Sequence, residues 1–196
     1  ATGSPFSAEF LVPTLADLEA ASDAEVDWRI PSNGAELKRT IYQQDFETGA
    51  GPEWSSSTRE SRSAVSTFLG RFNSSGGITL TLTVTPGLSH TLSFDLYAFD
   101  TWDGANGPGP DRFFVDVDGV QVFSEILSES SLPNTFSGGI RRFEGVPIAF
   151  TPEGSQVTVR FRDSGLQGIG DESWGIDNVH LASEADFLRP GSMLLL

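Results

Sequence analysis

Residues 78–99 have the sequence ITLTLTVTPGLSHTLSFDLYAF. In the first half, Ile78–Thr85, apolar residues alternate strictly with threonine, which predicts a β-strand with one buried and one solvated face. Pro86-Gly87 interrupts this alternation as a turn. A second strand is predicted over His90–Phe99, with four apolar residues on one face: Leu92, Phe94, Leu96 and Ala98. These two alternating segments indicate a domain built from β-strands.

The downstream sequence repeats this organisation of short strands and turns. Asp118-Gly119, between the strand-like segments Phe113–Val117 and Val120–Glu125, is the strongest signal for a tight β-hairpin. Two more strands are predicted over Gln156–Phe161 and Ile176–Leu181. The 21 glycines and 11 prolines supply the turns. Together, these features predict an all-β fold, an antiparallel β-sandwich of jelly-roll type.

The 196 residues predict one domain with extensions at both ends. Residues 37–182 form the predicted sandwich. Residues 1–36 form an N-terminal arm, in which Thr14 and Asp17 have the spacing of a capping box at the start of a short helix. Residues 183–196 form a C-terminal tail.

Charge and composition exclude several classes of function. Asp and Glu number 27 against 12 Lys and Arg, so the net charge is −15, which disfavours nucleic acid and anionic lipid as partners. The chain has no cysteine, which excludes disulfides, thiolate metal sites and thiol catalysis. No apolar stretch is long enough to span a membrane. The surplus of acids is compatible with cation binding.

An acidic loop, Asp100–Asp111 (DTWDGANGPGPD), lies between two predicted strands. Its glycines allow backbone carbonyls to turn inward beside the side-chain oxygens, and calcium binds six to eight such oxygens in flexible geometry. The loop therefore predicts a calcium site, although the same residue types also suit a solvated turn. The candidate ligands are Asp100, Asp103, Asn106 and Asp111.

A second group of acids is divided between the two ends of the predicted sandwich. Asp45 and Glu47 occur in the segment DFE, and Asp177 occurs in SWGIDNV. The first and last strands of a jelly roll lie side by side, which allows Glu47 and Asp177 to meet. Two carboxylates that meet without a cation repel each other. Either these acids lie apart or an ion joins them.

Three segments carry a resemblance to a known family: DFE, FDLYAFDTWDG followed by GPDRFFVDVDG, and SWGIDNV. They resemble the jelly-roll modules of bacterial extracellular proteins, which are similar to the MAM domains of the concanavalin-like superfamily. The resemblance covers about residues 41–182. It implies a structural cation shared by Asp45, Glu47 and Asp177. The chain departs from the MAM pattern because it lacks all cysteines.

The C-terminal segment 189–196 (RPGSMLLL) resembles the start of the PEP-CTERM sorting signal, which implies an exported, cell-surface or extracellular bacterial protein. Two apolar segments lie outside the predicted sandwich, Phe10–Val12 and Met193–Leu196. We expect these ends to mediate self-association, or alternatively to fold back on their own domain.

Catalysis is not predicted. Asp116 and Asp118 alternate as the acids of concanavalin-like glycosidases do, but Asp118 belongs to the predicted turn. Glu172, next to an acid and near Trp174, keeps a glycoside hydrolase-like reaction as the alternative.

Two functions follow from these observations. The first is an exported calcium-binding β-sandwich that acts as a surface adhesion, matrix or self-assembling protein, with itself or neighbouring surface proteins as partners. The second is a carbohydrate-binding module in which calcium and exposed tryptophans bind the sugar. Trp54 and Trp102 are the candidate ligand-binding residues, because exposed aromatic rings stack on sugars and anchor partners. The other interpretation is that each ring covers the core.

Overall fold

A computed structural model describes residues 38–63, 65–73, 76–105, 109–128, 135–136 and 140–184. Within these residues, the regular elements are all β-strands, and no helix is present that has the length and hydropathy to cross a bilayer. The predicted arm 1–36 with its helix, and residues 185–196 of the predicted tail, lie outside the described residues. The strands are β1 (Lys38–Gln44), β2 (Arg59–Arg62), β3 (Val65–Phe72), β4 (Ile78–Thr83), β5 (His90–Asp100), β6 (Arg112–Val117), β7 (Val120–Ile126), β8 (Thr135–Phe136), β9 (Ile140–Phe150), β10 (Gln156–Ser164) and β11 (Glu172–Glu184).

The strands form two antiparallel sheets. The larger sheet, sheet A, has the order β2-β3-β11-β5-β9-β8, and β1 pairs with β11 beside β3. The smaller sheet, sheet B, has the order β4-β10-β6-β7. Successive strands cross between the sheets from β3 to β6 and again from β9 to β11, which is the double Greek key of a jelly roll. The predicted fold class is confirmed.

The alternating segments form the strands that the sequence predicts. β4 and β5 begin at Ile78 and His90 as expected, and the four apolar residues predicted to share a face of β5 are all buried in the core between the sheets. The hairpin of β6 and β7 turns at Asp118 and Gly119, with φ of 48° and 81°. Two successive left-handed residues are the geometry of a tight type I′ turn.

Aromatic side chains from both sheets fill the core. Phe94 of sheet A packs edge-on against Phe161 of sheet B, with ring centroids 5.2 Å apart. Phe113 of sheet B contacts Trp174 of sheet A in the same way, at 5.1 Å. The Trp174 indole nitrogen donates a hydrogen bond to Asp163 Oδ2 at 2.6 Å. These ring pairs hold the sheets together near the end of the sandwich where the acidic loop lies.

The outer face of sheet A carries a second, smaller apolar cluster, made of Phe68, Tyr97, Phe99 and Ile140. The guanidinium groups of Arg62 and Arg71 lie 5.9 and 5.5 Å from the Phe99 ring centroid. β5 is therefore buried on both faces over its second half, unlike an alternating strand with one face in solvent.

Candidate functional site

Three acids converge at one end of the sandwich. Asp103 follows β5, Asp111 precedes β6, and Glu172 is the first residue of β11. Each contributes one carboxylate oxygen to a group in which all the oxygens lie within 4.8 Å of one another. Asp111 and Glu172 are fully buried at 0% exposure, while Asp103 is exposed. We call these three residues the acid cluster.

Asp111 closes the acidic loop on itself. Its Oδ2 atom accepts hydrogen bonds from the backbone N–H groups of Asp103, at 2.6 Å, and Gly104, at 3.3 Å. Its own N–H donates to the Gly104 carbonyl at 3.1 Å. Gly165 makes room for this carboxylate, because a Cβ there would lie 2.9 Å from Asp111 Oδ1. The loop geometry thus directs the Asp111 carboxylate into the cluster.

The second oxygen of Asp111, Oδ1, is buried without a hydrogen-bond partner. A buried carboxylate oxygen that has lost its water and gained no donor is costly, and such atoms are rare in folded proteins. A bound cation is one group that satisfies it. Because Asp111 is one of the three converging acids, this orphaned oxygen is the second observation, beside the clustering itself, that points to a cation.

Glu172 is held by Gln167. The Gln167 backbone N–H donates to Glu172 Oε2 at 2.8 Å, and its side-chain amide donates to Glu172 Oε1 and Asp103 Oδ2, both at 3.3 Å. Burial raises the pKa of Glu172 to about 7, the Gln167 N–H opposes this, and the charges of Asp111, Asp103 and Asp171 add to it. The carboxylates thus disfavour each other's charge.

No arginine or lysine of the described residues forms an ion pair with the acid cluster. The donors are all carboxylates, so the chemistry suits a hard cation such as calcium rather than one that prefers imidazole or thiolate. The residues therefore fit a divalent cation of this type.

The acid cluster includes two of the four ligands predicted in the acidic loop, Asp103 and Asp111. Asp100 is not a member of the cluster and forms an ion pair with Arg71, with 3.2 Å between the nitrogen and the oxygen. Asn106 lies outside the described residues. Glu172 was not among the predicted ligands. The sequence signal that could have identified it is its position on β11, because alternation places it on the same face of the strand as the core residues Trp174 and Ile176.

The acids at the two chain ends of the sandwich do not form a second group of this kind among the described residues. Asp45 Oδ1 accepts the Glu47 N–H at 3.1 Å, and Glu47 Oε1 accepts the Thr67 N–H at 2.9 Å. Asp177 is buried and accepts from the Ser66 hydroxyl at 2.5 Å. β1 and β11 do pair, as expected for first and last strands. Each acid, however, has its own hydrogen-bond donors.

Both candidate tryptophans are buried, which corrects the prediction that their rings form an exposed stacking surface. Trp102 is 0% exposed, and its indole nitrogen donates to the Ser173 carbonyl at 3.1 Å. Trp54 is 6% exposed and packs edge-on against Phe46, with ring centroids 5.3 Å apart. Both are core residues, because a large ring in a short loop over the end of a sandwich buries more apolar surface by turning inward.

Arg141 and Arg142, two adjacent cationic residues of β9, both make specific polar contacts. Arg141 is 6% exposed and donates to the Asp100 carbonyl at 2.9 Å. Arg142 forms an ion pair with Asp95 at 2.5 Å and lies 5.7 Å from the Tyr97 ring centroid. Arg142 therefore contributes to the partly buried outer face of sheet A, beside Tyr97.

No protein-family model matches the sequence. No curated protein is recognisably similar to it. Solved structures with a similar arrangement of strands include dimeric latent PorU from Porphyromonas gingivalis, at 17% identity and a TM-score of 0.47, covering 74% of this chain and 12% of PorU. The K3 adhesin domain of Lys-gingipain from the same organism has 13% identity and a TM-score of 0.48, covering 74% of this chain and 99% of that domain.

The CBM22-1 xylan-binding domain of Paenibacillus barcinonensis Xyn10C has 13% identity and a TM-score of 0.42, covering 77% of this chain and 98% of that domain. At TM-scores below 0.5, these similarities assign the chain to none of these proteins' functions. The candidate function therefore depends on the acid cluster.

Proposed function

We propose that this chain is a calcium-binding β-sandwich module of an exported bacterial protein, with a structural role at the cell surface or in a matrix and no catalytic activity. The observation that supports cation binding is the buried Oδ1 of Asp111, which has no hydrogen-bond partner and lies among three converging carboxylates. The exported location rests on the resemblance of the sequence motifs to extracellular jelly-roll modules and on a cysteine-free, acidic composition.

The position of the acid cluster explains what the cation does. Asp111 leads into β6 of sheet B, whereas Glu172 begins β11 of sheet A. A cation bound by both carboxylates joins the two sheets at one end of the sandwich and removes the repulsion between the acids. The cation thus fixes the loop after β5 against the loop before β11, and the module gains rigidity at this end.

The contacts of the alternating acids support a non-catalytic role. Asp116 is held by Arg162 through two hydrogen bonds, at 2.7 and 3.0 Å, and Asp118 lies in the hairpin turn, where its Oδ1 accepts the Thr158 N–H at 2.8 Å. Neither carboxylate is poised as one of a glycosidase pair. Carbohydrate binding stays a prediction, but the buried Trp54 and Trp102 are no longer its candidate sugar-binding residues. A glycan array with and without calcium tests it.

Calorimetric titration of metal-free protein with calcium tests the cation site. A ligand that binds only the folded state adds about 2.7 kcal/mol of stability at a hundredfold excess over its Kd, so calcium should also raise the melting temperature by several degrees. We expect Asp111→Asn and Glu172→Gln to weaken binding at least tenfold, and magnesium to replace calcium poorly. Asp118→Ala is the matched control, because it removes an acid outside the cluster and should lower stability while binding stays intact. Equal losses of affinity in Asp118→Ala and Asp111→Asn, or no binding by the wild type, would refute the proposal.

A further inference from the structure

Sheet B has one covered edge and one open edge. At the β4 edge, the Ser55 N–H donates to the Thr79 carbonyl at 2.9 Å, and the Thr81 N–H donates to the Glu53 carbonyl at 3.0 Å. The residues before β2 therefore occupy the backbone groups of β4. At the opposite edge, β7 pairs with β6 only, and no other described residue bonds to its backbone. Within the part of the chain that the structure describes, β7 thus presents a row of N–H and C=O groups without a strand partner, which can accept another strand.

The side chains of β7 leave this edge accessible. Of the three large apolar residues that are exposed among the described residues, two are in β7, Val120 at 66% and Val122 at 40%. The strand, VQVFSEI, contains no proline, lysine or arginine of the kind that blocks edge pairing in other proteins. A register shift disturbs its pairing with β6 between Gln121 and Phe123, but pairing is regular from Phe123 to Ile126.

The charges of sheet B permit a second copy of this chain as the partner at this edge. The whole chain has a net charge of −15, so two copies repel each other over most of their surfaces. The four strands of sheet B are neutral instead, because their three arginines balance their three acids: Arg112, Arg160, Arg162, Asp116, Glu125 and Asp163. Contact through sheet B is therefore one approach of two copies that adds little net repulsion between their strands.

We propose that β7 pairs antiparallel with β7 of a second copy of this chain, joining two sheets B into one continuous sheet. This inference gives the self-assembly of the proposed surface module a specific contact, and in that respect it rests on the proposed function. A two-fold axis at Ser124 sets Val122 opposite Ile126 of the second copy. It also sets Glu125 opposite Phe123, so no two acids face each other, and apolar cross-strand pairs stabilise the contact.

Cross-linking tests this register, because the natural chain has no cysteine. In Ser124→Cys, the two thiols meet at the axis, where directly opposed residues in an antiparallel pair have Cα atoms about 4.5–5.5 Å apart, within the range of a disulfide. We expect mild oxidation to convert this variant to a covalent dimer. Thr83→Cys, exposed at the covered β4 edge, is the control and should stay monomeric. A Ser124→Cys variant that cross-links no faster than Thr83→Cys overturns the proposal.

Analytical ultracentrifugation of the full chain in calcium gives the second test. We expect a concentration-dependent dimer for the wild type, an association at least tenfold weaker for Val122→Glu, and wild-type association for Thr83→Glu, which adds the same charge elsewhere. A wild type that is monomeric at all concentrations, or equal weakening by both variants, overturns the proposal. The calcium-induced shift in melting temperature, measured on the same samples, reports folding and the cation site separately. Loss of that shift with dimerisation intact would refute the calcium proposal alone.

Discussion

Asp95 and Asp177 lie directly opposite each other in the antiparallel register of β5 and β11, and both are buried. Among the described residues, Asp95 has a cationic partner, Arg142, and Asp177 has none. Asp177 accepts hydrogen bonds from Ser66 and from the Tyr97 hydroxyl, at 2.5 and 3.1 Å. Burial raises the pKa of Asp177, these hydrogen bonds oppose the rise, and the charge of Asp95 adds to it. The pair thus places inside the sandwich an acid that hydrogen bonds, and no described cation, stabilise.

Asp177→Asn should therefore change how stability depends on pH. A carboxyl whose pKa is higher in the folded protein than in the unfolded chain stabilises the fold below its ordinary pKa of 3.8, and that contribution is lost as the pH rises through the raised pKa. We expect the wild type to lose stability relative to Asp177→Asn as the pH increases above 3.8. Urea unfolding of both proteins across this range measures the difference. A stability difference between the two proteins that is constant with pH, or that changes in the opposite direction, would contradict a raised pKa for Asp177.

The acid cluster predicts a second pH dependence, in the protein freed of cations. Because the pKa of Glu172 rises from 4.5 to about 7 on folding, its contribution to stability is complete below 4.5 and is lost as the pH rises to about 7. The melting temperature of the cation-free wild type should fall across this range relative to Glu172→Gln. Saturating calcium favours the charged carboxylate, so it should remove or reverse this decline. Melting curves with chelator and with calcium decide the matter, and identical pH profiles in both would count against a cation at Glu172.

Gly165 and Gly119 both have a positive φ, but only Gly165 lies beside the acid cluster. Substituting each in turn therefore separates backbone strain from an effect on the acid cluster. Gly165 has φ of 93°, and a Cβ there would lie 2.5 Å from the Pro110 carbonyl oxygen, whereas Gly119 has φ of 81° with nothing within 4 Å of a Cβ. Gly119→Ala should cost about 1–2 kcal/mol, the penalty of a left-handed residue with a side chain. Gly165→Ala should cost more and should also weaken calcium binding at least tenfold. Chemical denaturation and calcium titration of both variants test this, and equal effects would show that Gly165 does not shape the site.

The sequence predicted the strands whose faces differ in polarity. The alternation in β4 and β5 and the turn at Asp118 are local properties, so they could be predicted without the structure. β9 was missed because its RRFEGVP segment breaks the alternation with charged residues and with Gly145, whose φ is +60°. Alternation also gave no information about what covers the outer face of β5, which is buried around Tyr97.

The candidate site was predictable only where its residues are neighbours in sequence. Asp103 and Asp111 lie in one loop, and the hard-oxygen composition of that loop indicated calcium. Glu172 is 61 residues further along and reaches Asp111 only because β11 lies in the middle of sheet A, and β6 in the middle of sheet B. Such a contact depends on the topology of the whole sandwich. The direction of the Trp102 ring had no local signal either, because its loop composition suits a buried or an exposed ring equally.

The pairing of β1 with β11 has a mechanical consequence. Lys38 faces Glu184 in this pair, so the polypeptide enters and leaves the sandwich at the same end. Tension along the chain would separate these two strands one hydrogen-bonded pair after another, as a zipper opens, instead of loading all the pairs at once in shear. Glu172 lies at the other end of β11, about 40 Å away. Under load, the sandwich would therefore begin to open at β1, while the end that contains the acid cluster stays folded.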